Sequence, residues 1–399
     1  MGELAAHPKI VVGSVVSCAC GIFIGAPVNC TPQSKSIHRE RKQPERMDIG
    51  SRFADRPVFI TGADGFVGSH LTEALSEFGA NIHVFVRATS SGELNNIAHL
   101  QENVTVHRGD LRDKHSVRVA LSALEGHSDS IIFHLGAQAH VGESWDRPYE
   151  TIDSNVTGTL NLLQNIVDLD LDIAKFDTAG TSEEYGNVND EMAEKHDFSE
   201  DGRVLLSERS PVNPKSVYAT SKLAADFLTM NFHDAYGLPS VTTRMFNNYG
   251  PRQNPRYITG TIITQALERN VVELGNLTPK RDMCFVEDGV RGHMHVALDG
   301  NPGEQYVYGY GENISMREWA NKILRVGAAD GYWDDPQIVQ DDDRYRPGDS
   351  DVKELRVGYE KLRKETGWKP LVPWEEGISR TIAWYANNKD SWSGRVDWS

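Results

Sequence analysis

Between residues 58 and 246 the apolar positions come in short runs that alternate between a strand-like and a helix-like period. Residues 58–61 form a β-branched run, a turn with three glycines follows, and an apolar helical period then continues to residue 75. Residues 81–86 alternate as a second strand, and residues 104–108 read as a third. Residues 130–135 are continuously apolar, as a parallel strand buried on both faces would be. Helical spacing returns over 151–167, with Asn155 near its start, and a weaker strand follows at 175–179. A longer helix over 218–236 is stopped by Gly237 and Pro239. Residues 240–246 return to the sheet. This alternation predicts an α/β fold with a doubly wound parallel sheet. Residues 187–214 are polar and proline-bearing, an excursion toward a second lobe, and beyond 247 the pattern loosens into short mixed elements. The expected organisation is a leader over 1–46, a nucleotide-binding domain mainly over 47–246, and a smaller, discontinuous mixed α/β substrate lobe mainly over 247–399.

The first turn carries the nucleotide-binding signal and makes the sheet Rossmann-like. Gly62 permits the tight turn, Gly65 lets the backbone approach a pyrophosphate, and Gly68 lets the helix opened by Phe66 and Val67 lie close to the strand. Arg87 closes the second strand where a dinucleotide fold meets the adenosine ribose. An acid there would bind the 2′-hydroxyl of NAD, whereas a basic residue suits the extra 2′-phosphate of NADP. NADP is therefore the expected cofactor, with NAD the alternative. At the end of the third strand, Asp110, followed by Leu111, could present a carboxylate to an adenine amino group.

Charge narrows the partners. The 41 basic and 57 acidic residues give a formal charge of −16, which argues against nucleic acid and, for the core, against an anionic membrane. Residues 1–46 reverse the balance with six basic and three acidic residues, and they hold Cys18, Cys20 and Cys30. Cys284 is then the core's one cysteine, so no disulfide framework or zinc site is expected there. Residues 10–28 are uncharged and mostly apolar. Three readings of the leader stay open: an extension upstream of a start at Met47, which is preferred, a targeting or anchoring segment, and a disordered arm.

Tyr218 and Lys222 stand four apart at a helix opening, so they share a face and the ammonium can lower the phenol pKa. A tyrosinate made that way is a general base for a sugar hydroxyl whose carbon is being oxidised by a nicotinamide. His293 and His295 are two apart, which is wrong for one helix face, and no metal site is read there.

The glycine loop Thr61-Gly62-Ala63-Asp64-Gly65-Phe66-Val67-Gly68, the run Gly109-Asp110-Leu111-Arg112-Asp113, Asn155-Val156-Thr157-Gly158-Thr159, Tyr218-Ala219-Thr220-Ser221-Lys222, Asn247-Asn248-Tyr249-Gly250-Pro251 and Thr366-Gly367-Trp368-Lys369-Pro370 resemble the extended short-chain dehydrogenases that act on nucleotide sugars. The likeness covers about residues 55–387. Thr181-Ser182-Glu183 narrows it to the 4,6-dehydratases, and the Ser form, Arg87 and the run from Gly275 to Asp282 are most similar to the GDP-mannose members. The resemblance implies that Thr181 holds the 4-hydroxyl near Tyr218 and that Glu183 removes the carbon-5 proton. Ser182 or Glu183 serves the leaving hydroxyl. Asn247, Arg281 and Arg346 match positions that contact the nucleotide or its diphosphate, and His140 lies near the sugar pocket. A cytoplasmic homo-oligomer, dimer or tetramer, is also implied. Departures are Gly136 and Gly180, where relatives often carry Ala and Ser, Val217 in place of a frequent Pro, and a long interval between Thr181 and Tyr218. The rivals are a 4-epimerase, a dehydratase for a UDP-, dTDP- or CDP-sugar, and a non-catalytic NADP-binding module.

Overall fold

The computed structural model of the chain describes residues 49–188, 194–200, 202–341, 352–393 and 396. The sequence readings on residues 1–46 and on Arg346 lie outside them. The first half follows the predicted alternation: β1 (Pro57–Thr61), α1 (Phe66–Glu77), β2 (Asn81–Arg87), β3 (Val104–Gly109), α2 (Lys114–Leu121), β4 (Ser130–His134), α3 (Gly158–Asp168), β5 (Ile173–Thr181), α4 (Val217–Tyr236) and β6 (Ser240–Met245). The ends have local causes. The Asp113 carboxylate accepts the His115 and Ser116 N–H groups to start α2, Ser216 accepts the Ala219 N–H to start α4, and Gly237 ends α4 at φ 70°, where a side chain would strain the backbone.

The second half adds β7 (Asn247–Tyr249), α5 (Ile258–Glu268), β8 (Val271–Leu274), β9 (Lys280–Phe285), α6 (Val286–Asp299), β10 (Gln305–Tyr308), β11 (Asn313–Ser315), α7 (Met316–Ala329), β12 (Gln337–Gln340), α8 (Glu360–Thr366) and α9 (Trp374–Asn387). A seven-stranded sheet runs in the order β10-β6-β5-β4-β1-β2-β3, every neighbouring pair parallel. Its strand β10 comes from a region that the apolar pattern did not separate from the lobe. Four residues are too few to show a period, and the strand is recognisable only by its pairing with β6, from Gln305 opposite Thr242 to Tyr308 opposite Met245. Helix α6 returns with it and packs on β5 and β6.

The smaller lobe carries the sheet β11-β9-β7 and the pair β8-β12. Its core gathers Tyr249, Trp319, Trp374 and Ile378, with edge-to-face rings at 4.9 Å for Tyr249–Trp319 and 5.9 Å for Trp319–Trp374. The excursion after β5 folds a small hairpin, Asp197–Phe198 against Val204–Leu205. Leu206 then bridges Val357, and Glu208 accepts the Val307 N–H at 3.0 Å. Among the described residues no helix is long and apolar enough to cross a membrane.

Candidate active site

Sheet order reverses between β1 and β4, and in open α/β sheets that crevice beyond the carboxyl ends is where ligands bind. A cleft of about 2230 Å³ opens there. Its first wall is backbone. A Cβ on Gly62 would come within 2.8 Å of the Gly136 Cα, and one on Gly68 within 2.1 Å of the Gly62 carbonyl oxygen. Gly62 sits at φ 70°. The first turn of α1 has neither a side-chain cap nor an acidic residue, so its N–H groups face the cleft beside Phe66 and Val67, as a pyrophosphate requires. These residues fit a dinucleotide. A Cβ on Gly136 would meet the Leu111 Cδ1 at 2.9 Å, which explains the missing alanine methyl.

At the rim, Arg87 is 64% exposed and pairs with the Glu150 Oε1 at 3.2 Å. Thr89, Ser91 and Arg108 line the cleft beside it. Asp110 lies at the end of β3, its carboxylate gripped by Arg112 through Nε at 2.9 Å and Nη2 at 2.6 Å. That hydrogen bonding holds it below the usual carboxylate range. Asp64, inside the glycine turn, accepts N–H groups of Asn95, Asn96 and Ile97 and ties the segment after β2 to the turn.

Beneath the cleft a buried chain of hydrogen bonds joins β1, β4 and the start of α4. His134 is pushed down to about 3 by burial and then by the Lys222 charge, so its ring is neutral. Thr159 donates its hydroxyl to the Asn155 carbonyl at 2.6 Å and so accepts from the His134 Nε2 at 2.9 Å. The His134 Nδ1 in turn accepts from Thr61 at 2.8 Å. Asn155 sits in a π-helical turn, Asp153–Thr157. Its Oδ1 accepts the Gln138 N–H at 2.8 Å, and its Nδ2 donates to the Ser221 Oγ at 2.8 Å. Asn155 thus fixes both the loop after β4 and the first turn of α4.

Thr181, Ser182 and Glu183 leave the end of β5 in one 3-10 turn and line the cleft with Tyr218 and Lys222. The five predicted residues are therefore together. Lys222 is buried, and burial lowers it to about 8 against the Glu184 and Asp226 charges, which hold it up. Burial likewise pushes the Tyr218 phenol up. The neighbouring Tyr257, Glu183 and Glu184 add to that, and a hydrogen bond with Thr181 works against it. The expected lowering of the phenol by Lys222 is not what this structure shows: burial dominates, because desolvation disfavours the charged phenolate.

On the opposite wall, the Asn247 Oδ1 is buried without a protein partner and faces the cleft. Arg281 also lines it, but its Nη1 donates to the carbonyls of Val352 at 2.6 Å and Lys280 at 3.0 Å. The His140 Nδ1 accepts the Glu143 N–H at 3.1 Å, and its ring lies edge-on to Tyr257 at 5.5 Å.

The family profile for GDP-mannose 4,6 dehydratase matches residues 59–381. The chain belongs to that family. dTDP-glucose 4,6-dehydratase of Escherichia coli is 30% identical over 86% of this chain and 97% of its own length. GDP-mannose 4,6 dehydratase 1 of Arabidopsis thaliana is 32% identical over 82% of this chain and 88% of its own. Among solved structures, dTDP-glucose 4,6-dehydratase (DesIV) of Streptomyces venezuelae, with NAD and TYD bound, superposes with a TM-score of 0.72 at 27% identity. That match covers 84% of this chain and 99% of that one.

Within this GDP-mannose 4,6 dehydratase family member, two residues of the site had escaped the sequence reading. Tyr257 stands beside Tyr218 and donates to the Ala139 carbonyl at 2.9 Å, and nothing in its local sequence marks it. Glu184 did leave a signal. Thr181-Ser182-Glu183-Glu184 has the spacing of a capping box, and one is formed, with the Thr181 N–H donating to the Glu184 Oε1 at 2.8 Å.

Proposed function

We propose that this chain is a nucleotide-sugar 4,6-dehydratase that uses NADP and converts GDP-mannose to the 4-keto-6-deoxy sugar nucleotide. The observation that carries the reading is Glu183, a carboxylate in the turn that also bears Thr181, on the wall shared with Tyr218 and Lys222. Thr181 orients the 4-hydroxyl toward Tyr218, whose phenolate form takes its proton. A nicotinamide dinucleotide held at the glycine turn over 62–68 would supply the reversible hydride acceptor that this reaction needs, with no net redox. The 4-ketone makes the carbon-5 proton acidic, and Glu183 removes it. The carbon-6 hydroxyl then leaves as water, with Ser182 or Glu183 passing it a proton. A serine is a poor acid at neutral pH, which favours Glu183 in both roles. The cleft is more than twice the volume of an ordinary small-molecule pocket, in keeping with two nucleotide ligands side by side.

Arg87, Arg108, Thr89 and Ser91 at the ribose rim support NADP, since a guanidinium fork suits a phosphate. NAD with a dTDP-sugar is the second reading, favoured by relatives of that activity at similar identity and by the NAD-bound structure. The test is incubation of the purified protein with a panel of nucleotide sugars, followed by mass spectrometry. Loss of one water from GDP-mannose is expected. Loss of water from a dTDP-sugar alone overturns the substrate. An isomer of unchanged mass overturns the reaction class in favour of a 4-epimerase.

A further inference from the structure

Asp64 puts a negative charge inside the turn whose N–H groups suit a pyrophosphate, and a carboxylate facing that ligand would repel it. The residue immediately precedes Gly65, the N-cap of α1, and an acid at that end of a helix is favoured by the free N–H groups of the first turn. Yet α1 has no side-chain cap. The carboxylate turns instead to the segment after β2. Its Oδ1 accepts the N–H groups of Asn95 at 3.0 Å, Asn96 at 2.7 Å and Ile97 at 3.2 Å, and its Oδ2 accepts the Asn95 N–H at 3.0 Å and Nδ2 at 3.2 Å. The Asn96 Nδ2 answers by donating to the Asp64 carbonyl at 2.8 Å. The N–H groups of α1 are thereby left to the cleft, while the charge of Asp64 is taken up by donors 31 to 33 residues further along the chain.

The segment held in this way, residues 88–97, lines the cleft with Thr89, Ser91 and Glu93. Its first half is tied to β3, because the Ala88 N–H donates to the Gly109 carbonyl at 2.9 Å and the Arg108 Nη2 donates to the Gly92 carbonyl at 2.7 Å. Its second half is tied to the glycine turn by Asp64, just before Ile97 enters the core beside Leu71 and Leu100. A loop that is in place only part of the time lowers the apparent affinity of its ligand by that fraction. One held beforehand spares the ligand the cost of ordering it. The turn suited to a pyrophosphate and the segment at the ribose rim are joined by one carboxylate. We propose that Asp64 is a positioning residue that holds residues 88–97 against the glycine turn, so that the two form one preassembled receptor for the adenosine diphosphate end of a dinucleotide.

The proposal rests on the dinucleotide reading of the cleft, and the test separates the two. In the full-length protein, Asp64→Ala removes the carboxylate, whereas Asp64→Asn keeps the Oδ1 acceptor and loses the charge. Amide hydrogen exchange, resolved by mass spectrometry on protein stripped of nucleotide, reads the segment itself. Residues 95–97 exchange about tenfold faster in Asp64→Ala than in the parent, while β1 and β4 keep the parent rate, as a local opening requires and a loss of global stability forbids. Calorimetric titration with ADP, NAD and NADP then reads binding. With the segment in place in about a tenth of the Asp64→Ala molecules, all three nucleotides bind about tenfold more weakly. Asp64→Asn lies between that variant and the parent in both measurements. Nucleotide affinities in Asp64→Ala equal to those of the parent, unchanged exchange at 95–97, or faster exchange throughout the sheet overturn the proposal and leave the dinucleotide reading standing. A parent that binds none of the three nucleotides overturns that reading, and the receptor with it.

Discussion

The two walls of the cleft hold their polar groups in opposite ways. On the wall proposed for the cofactor, the cofactor wall, glycine backbones meet at less than the distance a Cβ needs, and the groups left facing the cleft are main-chain N–H groups at the start of α1. On the wall proposed for the sugar, the sugar wall, charged side chains are already tied to distant protein partners. Arg281 grips the Val352 carbonyl, Arg252 reaches across to Glu73 on α1 at 2.8 Å, and behind the wall the buried Asp282 accepts the N–H groups of Tyr310, Gly311 and Val357. The first wall is specified by short-range spacing of small residues and rejects added atoms. The second is specified by long-range pairing and rejects changes of charge.

The largest expected effect falls where the walls meet. Glu183→Gln preserves size and removes the base, and a lost general base typically costs ~10²–10⁴ in rate. Oxidation at carbon-4 should survive while elimination stops, so the variant accumulates reduced nicotinamide and a 4-keto hexose that has kept its water. Solvent deuterium should not enter carbon-5. Tyr218→Phe should block the first step instead. If Glu183→Gln forms 4-keto-6-deoxy product near the parent rate, Glu183 is not the base. A smaller effect tests the cofactor wall alone. Gly68→Ala puts a methyl 2.1 Å from the Gly62 carbonyl, and overpacking of this kind costs about 1–3 kcal/mol. A lower melting temperature together with weaker nicotinamide binding by titration is the expected outcome.

That contrast also explains what could be read from the sequence. The cofactor wall was legible because each element is a local pattern: three glycines at fixed spacing, a β-branched run before them, an apolar helix after them. Tyr218 and Lys222 were legible for the same reason, since four residues is one helical turn. Strand β10 and the buried cluster in which Arg244 of β6 pairs with Glu184 and with Asp226 of α4 were not. Their meaning lies in a register between strands far apart in sequence, and a buried glutamate looks like a surface one until its arginine is found. Gly180 looked like a departure at one position, but it answers to Arg244 on the neighbouring strand, whose Cγ a Cβ at 180 would approach within 2.9 Å.

Breaking the long-range pairing behind the sugar wall gives the next prediction. Asp282→Asn keeps the shape but leaves fewer acceptor sites for three buried N–H donors, and each unsatisfied group costs about 1–3 kcal/mol. Thermal denaturation should show lower stability, while nicotinamide affinity stays near that of the parent because Asp282 touches nothing on the cofactor wall. Equal losses in both measurements would show that the two walls are not separable.

The smallest effect sharpens the comparison at the exposed rim, where a side chain rather than backbone is proposed to meet the cofactor. Arg87 is 64% exposed and pairs with Glu150 at 3.2 Å, and a pair so open to water holds its arginine weakly. A 2′-phosphate can therefore recruit the guanidinium from Glu150 at little cost, although solvent also limits what the new contact returns. Arg87→Asp should lower the NADP-to-NAD affinity ratio by about tenfold, roughly 1.4 kcal/mol. Glu150→Gln, which frees the guanidinium, should raise it slightly. Affinities measured by titration, together with the cofactor released on denaturing the parent, check both. Release of NAD alone, with a ratio unmoved by Arg87→Asp, would return the rim to a surface ion pair and the cofactor assignment to NAD.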